Sequence, residues 1–196
     1  MPARCPAAHR GAAATRIAAA VLFGAALALP VQATTQAVSF NVLNASATLG
    51  TPFLAGDNLR LDTLVTTQVG ALLQSITFSV GAGVTSFEGQ AAWEIGTAAG
   101  TGPRLIGVNI DVFDAGNALV ASDTFAGTLA GFALSSFANA PIGPGTYRLV
   151  ATGTGVRDSS LDVTLSFVGA AVPEPATYGL LLAGLGMVGL LARRRA

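Results

Sequence analysis

Leu161-Asp162-Val163-Thr164-Leu165-Ser166-Phe167 decides the fold class. Every second residue is apolar and its neighbours are polar, which is the period of a strand with one dry and one wet face. Ser75-Ile76-Thr77-Phe78-Ser79-Val80 repeats the pattern with Ile76, Phe78 and Val80 on one face, and Leu105 to Phe113 repeats it with Ile106, Val108, Ile110 and Val112. Fainter strands are expected over residues 37–43, 61–69, 118–129 and 146–152. The breaks are Gly81-Ala82-Gly83, Gly100-Thr101-Gly102-Pro103, Asp114-Ala115-Gly116-Asn117 and Pro141-Ile142-Gly143-Pro144-Gly145. These are turn-forming residues at the spacing of antiparallel sheets. Asp114 to Asn117 is expected to close a hairpin between the strands on either side. Gln68-Val69-Gly70-Ala71-Leu72-Leu73 is consistent with either a single helical turn or a loop. About seven to nine short strands and no amphipathic helix predict an all-β domain, an antiparallel β-sandwich or jelly roll.

Outward from these strands, two apolar segments bound the domain. Residues 1–33 have the form of a secretory signal peptide: Arg4, Arg10 and Arg16, an apolar core from Ile17 to Leu29, Pro30, then the small-residue site Val31-Gln32-Ala33. Cleavage by signal peptidase is expected after Ala33. Cys5 precedes the apolar core, so it cannot be the lipid-bearing cysteine of a lipoprotein. Residues 34–171 are the expected β-ectodomain, and residues 172–196 a C-terminal segment of different character.

The formal charge of the whole chain is zero, but the arginines are concentrated at its ends. Between Thr34 and Val172 the basic residues are Arg60, Arg104, Arg148 and Arg157, and the carboxylates outnumber them. An acidic, lysine-free domain has no electrostatic footprint for nucleic acid. Loss of residues 1–33 removes both Cys5 and His9, the chain's single cysteine and histidine. Disulfides, zinc, haem or iron–sulfur ligation by the usual nitrogen and sulfur ligands, and Ser-His-Asp or Cys-His catalysis are thereby excluded from the mature domain. No cofactor is expected.

The C-terminal segment has three parts. Pro173 and Pro175 fix their own φ angles and push Val172 and Glu174 towards extended backbone, predicting a stiff, exposed peptide. Gly179 to Ala192 carries no charge, and its leucines surround any helix drawn through it, which predicts a single transmembrane helix. From Tyr178 to Ala192 that helix would measure about 22 Å, short against a hydrocarbon core of ~30 Å. Arg193, Arg194 and Arg195 then form a cluster that the positive-inside rule keeps cytoplasmic.

Val172-Pro173-Glu174-Pro175, a short Leu/Gly-rich span and a terminal arginine cluster together resemble the PEP-CTERM sorting signal of Gram-negative surface proteins. The resemblance implies that an exosortase recognises Pro173, Glu174 and Pro175 and removes the anchor near them, with Arg193, Arg194 and Arg195 as the membrane stop. It further implies transient residence in the inner membrane, a final place in the cell envelope, outer surface or medium, and an association with exopolysaccharide and biofilm. Pro144 to Gly155 is similar to the "aGtYtLtvtGt" ending of a PEP-CTERM subfamily named for an FxDxF motif. Ala121-Ser122-Asp123-Thr124-Phe125 departs from that motif, with Ala121 in place of the first Phe.

Three constellations are candidates for chemistry. Asp111, Asp114 and Asn117 offer oxygen ligands for calcium, although Asp114 and Asn117 are equally turn formers. Glu88 and Glu94 are the nearest pair of carboxylates for glycoside hydrolysis, read here as lying in a loop. Trp93 beside them is either a carbohydrate contact or a core aromatic. The leading expectation is a non-enzymatic surface or matrix protein; the alternative is a secreted carbohydrate-binding or carbohydrate-processing β-domain.

Overall fold

The period-2 pattern becomes sheet with one buried face. In Ser159–Gly169, Leu161, Val163, Leu165 and Phe167 are buried while Asp162, Thr164 and Ser166 between them are half-buried. The computed structural model describes residues 32–96, 104–170 and 175–193. In chain order the elements are β1 (Thr35–Phe40), β2 (Asn44–Thr48), β3 (Asn58–Val65), β4 (Gly70–Val80), β5 (Val84–Glu94) and β6 (Leu105–Asp114). They continue as β7 (Leu119–Ser122), β8 (Thr124–Leu129), β9 (Phe132–Pro141), β10 (Gly145–Gly155), β11 (Ser159–Gly169) and α1 (Pro175–Arg193).

The strands form two sheets, ordered β1-β3-β11-β5-β9-β8 and β2-β4-β10-β6-β7. Antiparallel pairing is nested: β6 with β7, β5 with β9, β4 with β10 and β3 with β11. One long ribbon, closed at the Asp114–Asn117 turn, is thus rolled so that successive pairs fall alternately in the two sheets, the strand order of a jelly roll. Their buried faces share one core. Phe167 of β11 meets Phe78 of β4 across it at 5.7 Å between ring centroids, and Phe53 stacks on Phe167 at 4.6 Å.

The sheets are mixed, which corrects the expectation of antiparallel pairing throughout. β1 runs parallel to β3, and β2 parallel to β4. Both strands precede the rolled ribbon and flank its first two strands. Parallel neighbours need a long connection, and the chain from β1 to β3 supplies one by carrying β2 in the opposite sheet. Residues 41–43, read as the end of a strand, are this crossing. Residues 118–129, read as one strand, are two, because the chain changes sheets at Asp123. There the Asp123 amide donates to the Ile110 carbonyl at 2.9 Å and its carboxylate accepts the Ile110 amide at 2.9 Å. Gly70 to Leu73 is neither helical turn nor loop but the start of β4.

Bulges explain the remaining differences. Within β6, residues 107 and 108 lie opposite Gly153 alone, so the phase shifts and Leu105 is buried while Ile106 faces outward. In β9, residues 138 and 139 oppose Glu88, which moves the buried set from Ala133, Ser135 and Phe137 to Ala140. Thr85 is unpaired in the β5–β11 ladder, and the buried set of β5 changes phase between Val84 and Phe87.

Candidate functional site

The sequence leads one to expect a processing signal at each end of the β-domain. At the C-terminal side, α1 is a 19-residue helix beginning at Pro175, three residues before the expected start at Tyr178, and ending one residue beyond Ala192. Proline at the first helical position loses only an amide that would lack an intrahelical partner anyway. The earlier start lengthens the helix to about 28 Å. Leu181, Leu182, Leu185, Met187 and Val188 are exposed and do not share one face, and Arg193 ends the helix, where a cation complements the dipole. Among the described residues no helix is long and apolar enough to cross a membrane. Pro173, Glu174, Arg194 and Arg195 lie outside the described residues, as does the leader through Val31.

At the N-terminal side, Ala33 is exposed and without regular structure, and β1 begins at Thr35. Between them Thr34 is held from two directions. Its carbonyl accepts the Asn58 amide at 2.8 Å. Its own amide and hydroxyl donate to Asp57 Oδ1 at 2.7 and 2.8 Å, while the Leu54 amide donates to Asp57 Oδ2 at 2.7 Å. Asp57 is 4% exposed. Burial alone would raise its pKa, but the Leu54 and Thr34 amides and the Thr34 hydroxyl outweigh it and hold the carboxyl below its ordinary value. In the sequence Asp57 is one acid among several in an acidic domain, and a single aspartate before a strand carries no signal of what it will bind.

The sign of that shift gives a test. A depressed folded pKa adds stability above the unfolded value of ~3.9, and the gain is lost as pH falls through the folded value. Asp57→Asn should therefore be less stable than wild type at neutral pH by about 1–3 kcal/mol. The gap should narrow below pH ~3.9, read as urea midpoints of the mature protein at each pH. An undiminished gap at low pH would show that the charge is not what stabilises.

The other candidates fall into place individually. The Asp114 carboxylate accepts the Gly116 and Ala118 amides, both at 2.8 Å, and Asn117 takes the left-handed conformation with φ 62°. These are the bonds of a hairpin turn. Asn117 Oδ1 also accepts Arg148 Nη2 at 2.9 Å, so a guanidinium occupies the oxygen that calcium would need, and Asp111 accepts Asn109 Nδ2 at 2.6 Å. Among the described residues no group of three or more His, Cys, Asp or Glu gathers to hold a metal.

Glu88 and Glu94 lie on strand β5, not in a loop. Six residues of extended chain separate them by about 20 Å, more than twice the ~6.5–9.5 Å of an inverting pair. Glu94 is held by Arg104, with Nε 3.1 Å from Oε1 and Nη1 donating to Oε2 at 3.3 Å. Trp93 belongs to the core, 6% exposed on the inner face of β5.

No curated protein matches the chain. Residues 171–195 match the PEP-CTERM protein-sorting motif, which implies export, sorting by an exosortase and a cell-surface or extracellular destination.

Proposed function

We propose that this chain is a non-enzymatic surface or matrix protein whose β-domain is the cargo of two processing steps. The leader, residues 1–33, directs export and is removed by signal peptidase. Helix α1 then holds the domain at the inner membrane until an exosortase acts at Pro173-Glu174-Pro175. The match of residues 171–195 to the sorting motif carries this reading. The physical character of the segment supports it. A helix of about 28 Å falls just short of a ~30 Å core, and snorkelling by the terminal arginines closes the difference. Gly179, Gly184, Gly186 and Gly189 weaken the helix further, which suits an anchor built to be given up. The resemblance of the tail to that of exopolysaccharide-associated proteins supports an extracellular matrix as the final location of the mature domain. The carbohydrate alternative loses the ring on which it rested, because Trp93 is taken up by the core.

Intact-mass spectrometry of the protein recovered from exosortase-containing cells tests the reading. The mature species is expected to lack Arg193 to Arg195, and deletion of the exosortase is expected to restore them. Persistence of the full tail in the competent strain would sink the proposal.

A further inference from the structure

We propose that Asp57 is a receptor for the α-ammonium group that removal of the leader creates on Thr34, so that export processing itself locks β1 into its sheet. This rests on the reading that the leader is cut after Ala33. Hydrolysis adds water across the Ala33–Thr34 bond, leaving a carboxylate on Ala33 and an amine on Thr34 that is protonated at neutral pH.

The receptor is already formed around that nitrogen. Thr34 N stands 2.7 Å from Asp57 Oδ1, the separation of a charge-assisted N–H···O bond. In the uncut chain the nitrogen is a neutral amide, and the other donors to the carboxylate, the Thr34 hydroxyl and the Leu54 amide, are neutral too. Asp57 is buried, and a buried carboxylate gains most from a cationic partner. Cutting after Ala33 turns the group at 2.7 Å into that partner without moving an atom of the domain.

The location makes the pairing consequential. Thr34 is the residue immediately before β1, and the parallel register of β1 on β3 starts one step later, with Thr35 opposite Asn58. Asp57 immediately precedes β3 and also caps the turn from Leu54, whose carbonyl accepts the Asp57 amide at 3.1 Å. The Asp57 carbonyl accepts the Phe167 amide at 3.0 Å, tying the same turn to β11. An ion pair here joins the first residue of the mature chain to the edge of three neighbouring strands. Cleavage two residues earlier would leave the charge on an exposed tail beyond its reach. The position of the receptor therefore selects Thr34 as the first residue that both keeps β1 whole and brings the new charge to Asp57.

The absence of lysine gives a direct readout, since the α-amine is the one primary amine in the mature chain. The exported protein is treated at neutral pH with an amine-acetylating ester, folded and in urea, and the acetylated fraction is followed by mass, which also reports the first residue. Pairing is expected to slow acetylation of the folded protein about tenfold, one pKa unit of protection. Asp57→Asn is expected to restore the unfolded rate. The pH profile of acetylation in folded wild type is expected to lie about one unit above that in urea, a contrast that does not depend on the variant folding. A mature chain that starts with a residue other than Thr34 overturns the cleavage reading and the proposal with it. If Thr34 is first but reacts equally fast folded and unfolded, the pairing alone is overturned. Slow reaction that persists in Asp57→Asn, or that comes with no shift of the pH profile, reflects shielding, and overturns it as well.

Discussion

Gly89→Ala is expected to cost about 3 kcal/mol, a large share of the ~5–15 kcal/mol that holds a domain of this size together. Gly89 sits in β5, which lies between β11 and β9. A Cβ at this position would stand 2.5 Å from Leu165 Cδ2, 2.7 Å from the Thr164 carbonyl oxygen and 3.1 Å from Phe137 Cδ2. The leucine methyl has some freedom to turn away, though into a packed core. The carbonyl oxygen has none, because it belongs to the β11 backbone, and relieving the overlap means pushing β11 and β5 apart along their ladder. Gly143→Ala is the control: nothing lies within 4 Å of its Cβ, and its φ is not one that side chains avoid. Urea midpoints of the mature proteins should separate the two variants clearly. A Gly89→Ala midpoint equal to that of Gly143→Ala would show that the two strands are not packed as described.

Gly89 also illustrates what the sequence conceals. Strands β4, β10 and β11 are legible because apolar residues alternate with polar ones and pair without interruption over most of their length. β5 and β9 are not, although both lie in the interior of a sheet. Their inward positions are filled by Gly89, Ala91, Ala133 and Ser135 as well as by Phe87 and Phe137, so the apolar signal is weak where two strands approach closely. Bulges at Thr85 and at residues 138–139 then reverse the phase partway along. A period-2 reading fails when the period is broken by design. The same cause misplaced Ile106. The Asp114–Asn117 hairpin, by contrast, was legible because its bonds are local: an aspartate capping the amides two and four residues ahead needs no distant partner. Asp57 lies at the other extreme, since its meaning depends on Thr34, which is 23 residues away in sequence. The sorting motif was legible for a different reason, in that another protein reads it as sequence.

The second large effect is expected at Gln74, where the inner face of β4 breaks its own rule. Leu72, Ile76 and Phe78 are buried as the alternation demands, yet Gln74 among them is 0% exposed. Its amide nitrogen donates to the Val42 carbonyl at 2.8 Å, and its oxygen accepts the Thr63 hydroxyl at 2.6 Å. Val42 lies where the chain crosses between the sheets, and Thr63 is on β3 in the opposite sheet. One side chain thus links both sheets and satisfies a carbonyl in the connection between β1 and β2. Gln68 supports the same crossing, accepting the Leu43 amide at 2.9 Å. Gln74→Leu keeps the bulk but strands the carbonyl and the hydroxyl in an apolar core, at about 1–3 kcal/mol for each group. The mature protein should lose about 2–4 kcal/mol by urea unfolding. Adding Thr63→Val removes one of the stranded groups, so the double variant should be more stable than Gln74→Leu alone. A double variant that instead shows the plain sum of two losses would mean that the hydroxyl and the amide are not coupled. Because the crossing positions β1, weakening it should also loosen the seat of Thr34 on Asp57, and Gln74→Leu should acetylate faster at its α-amine than wild type does.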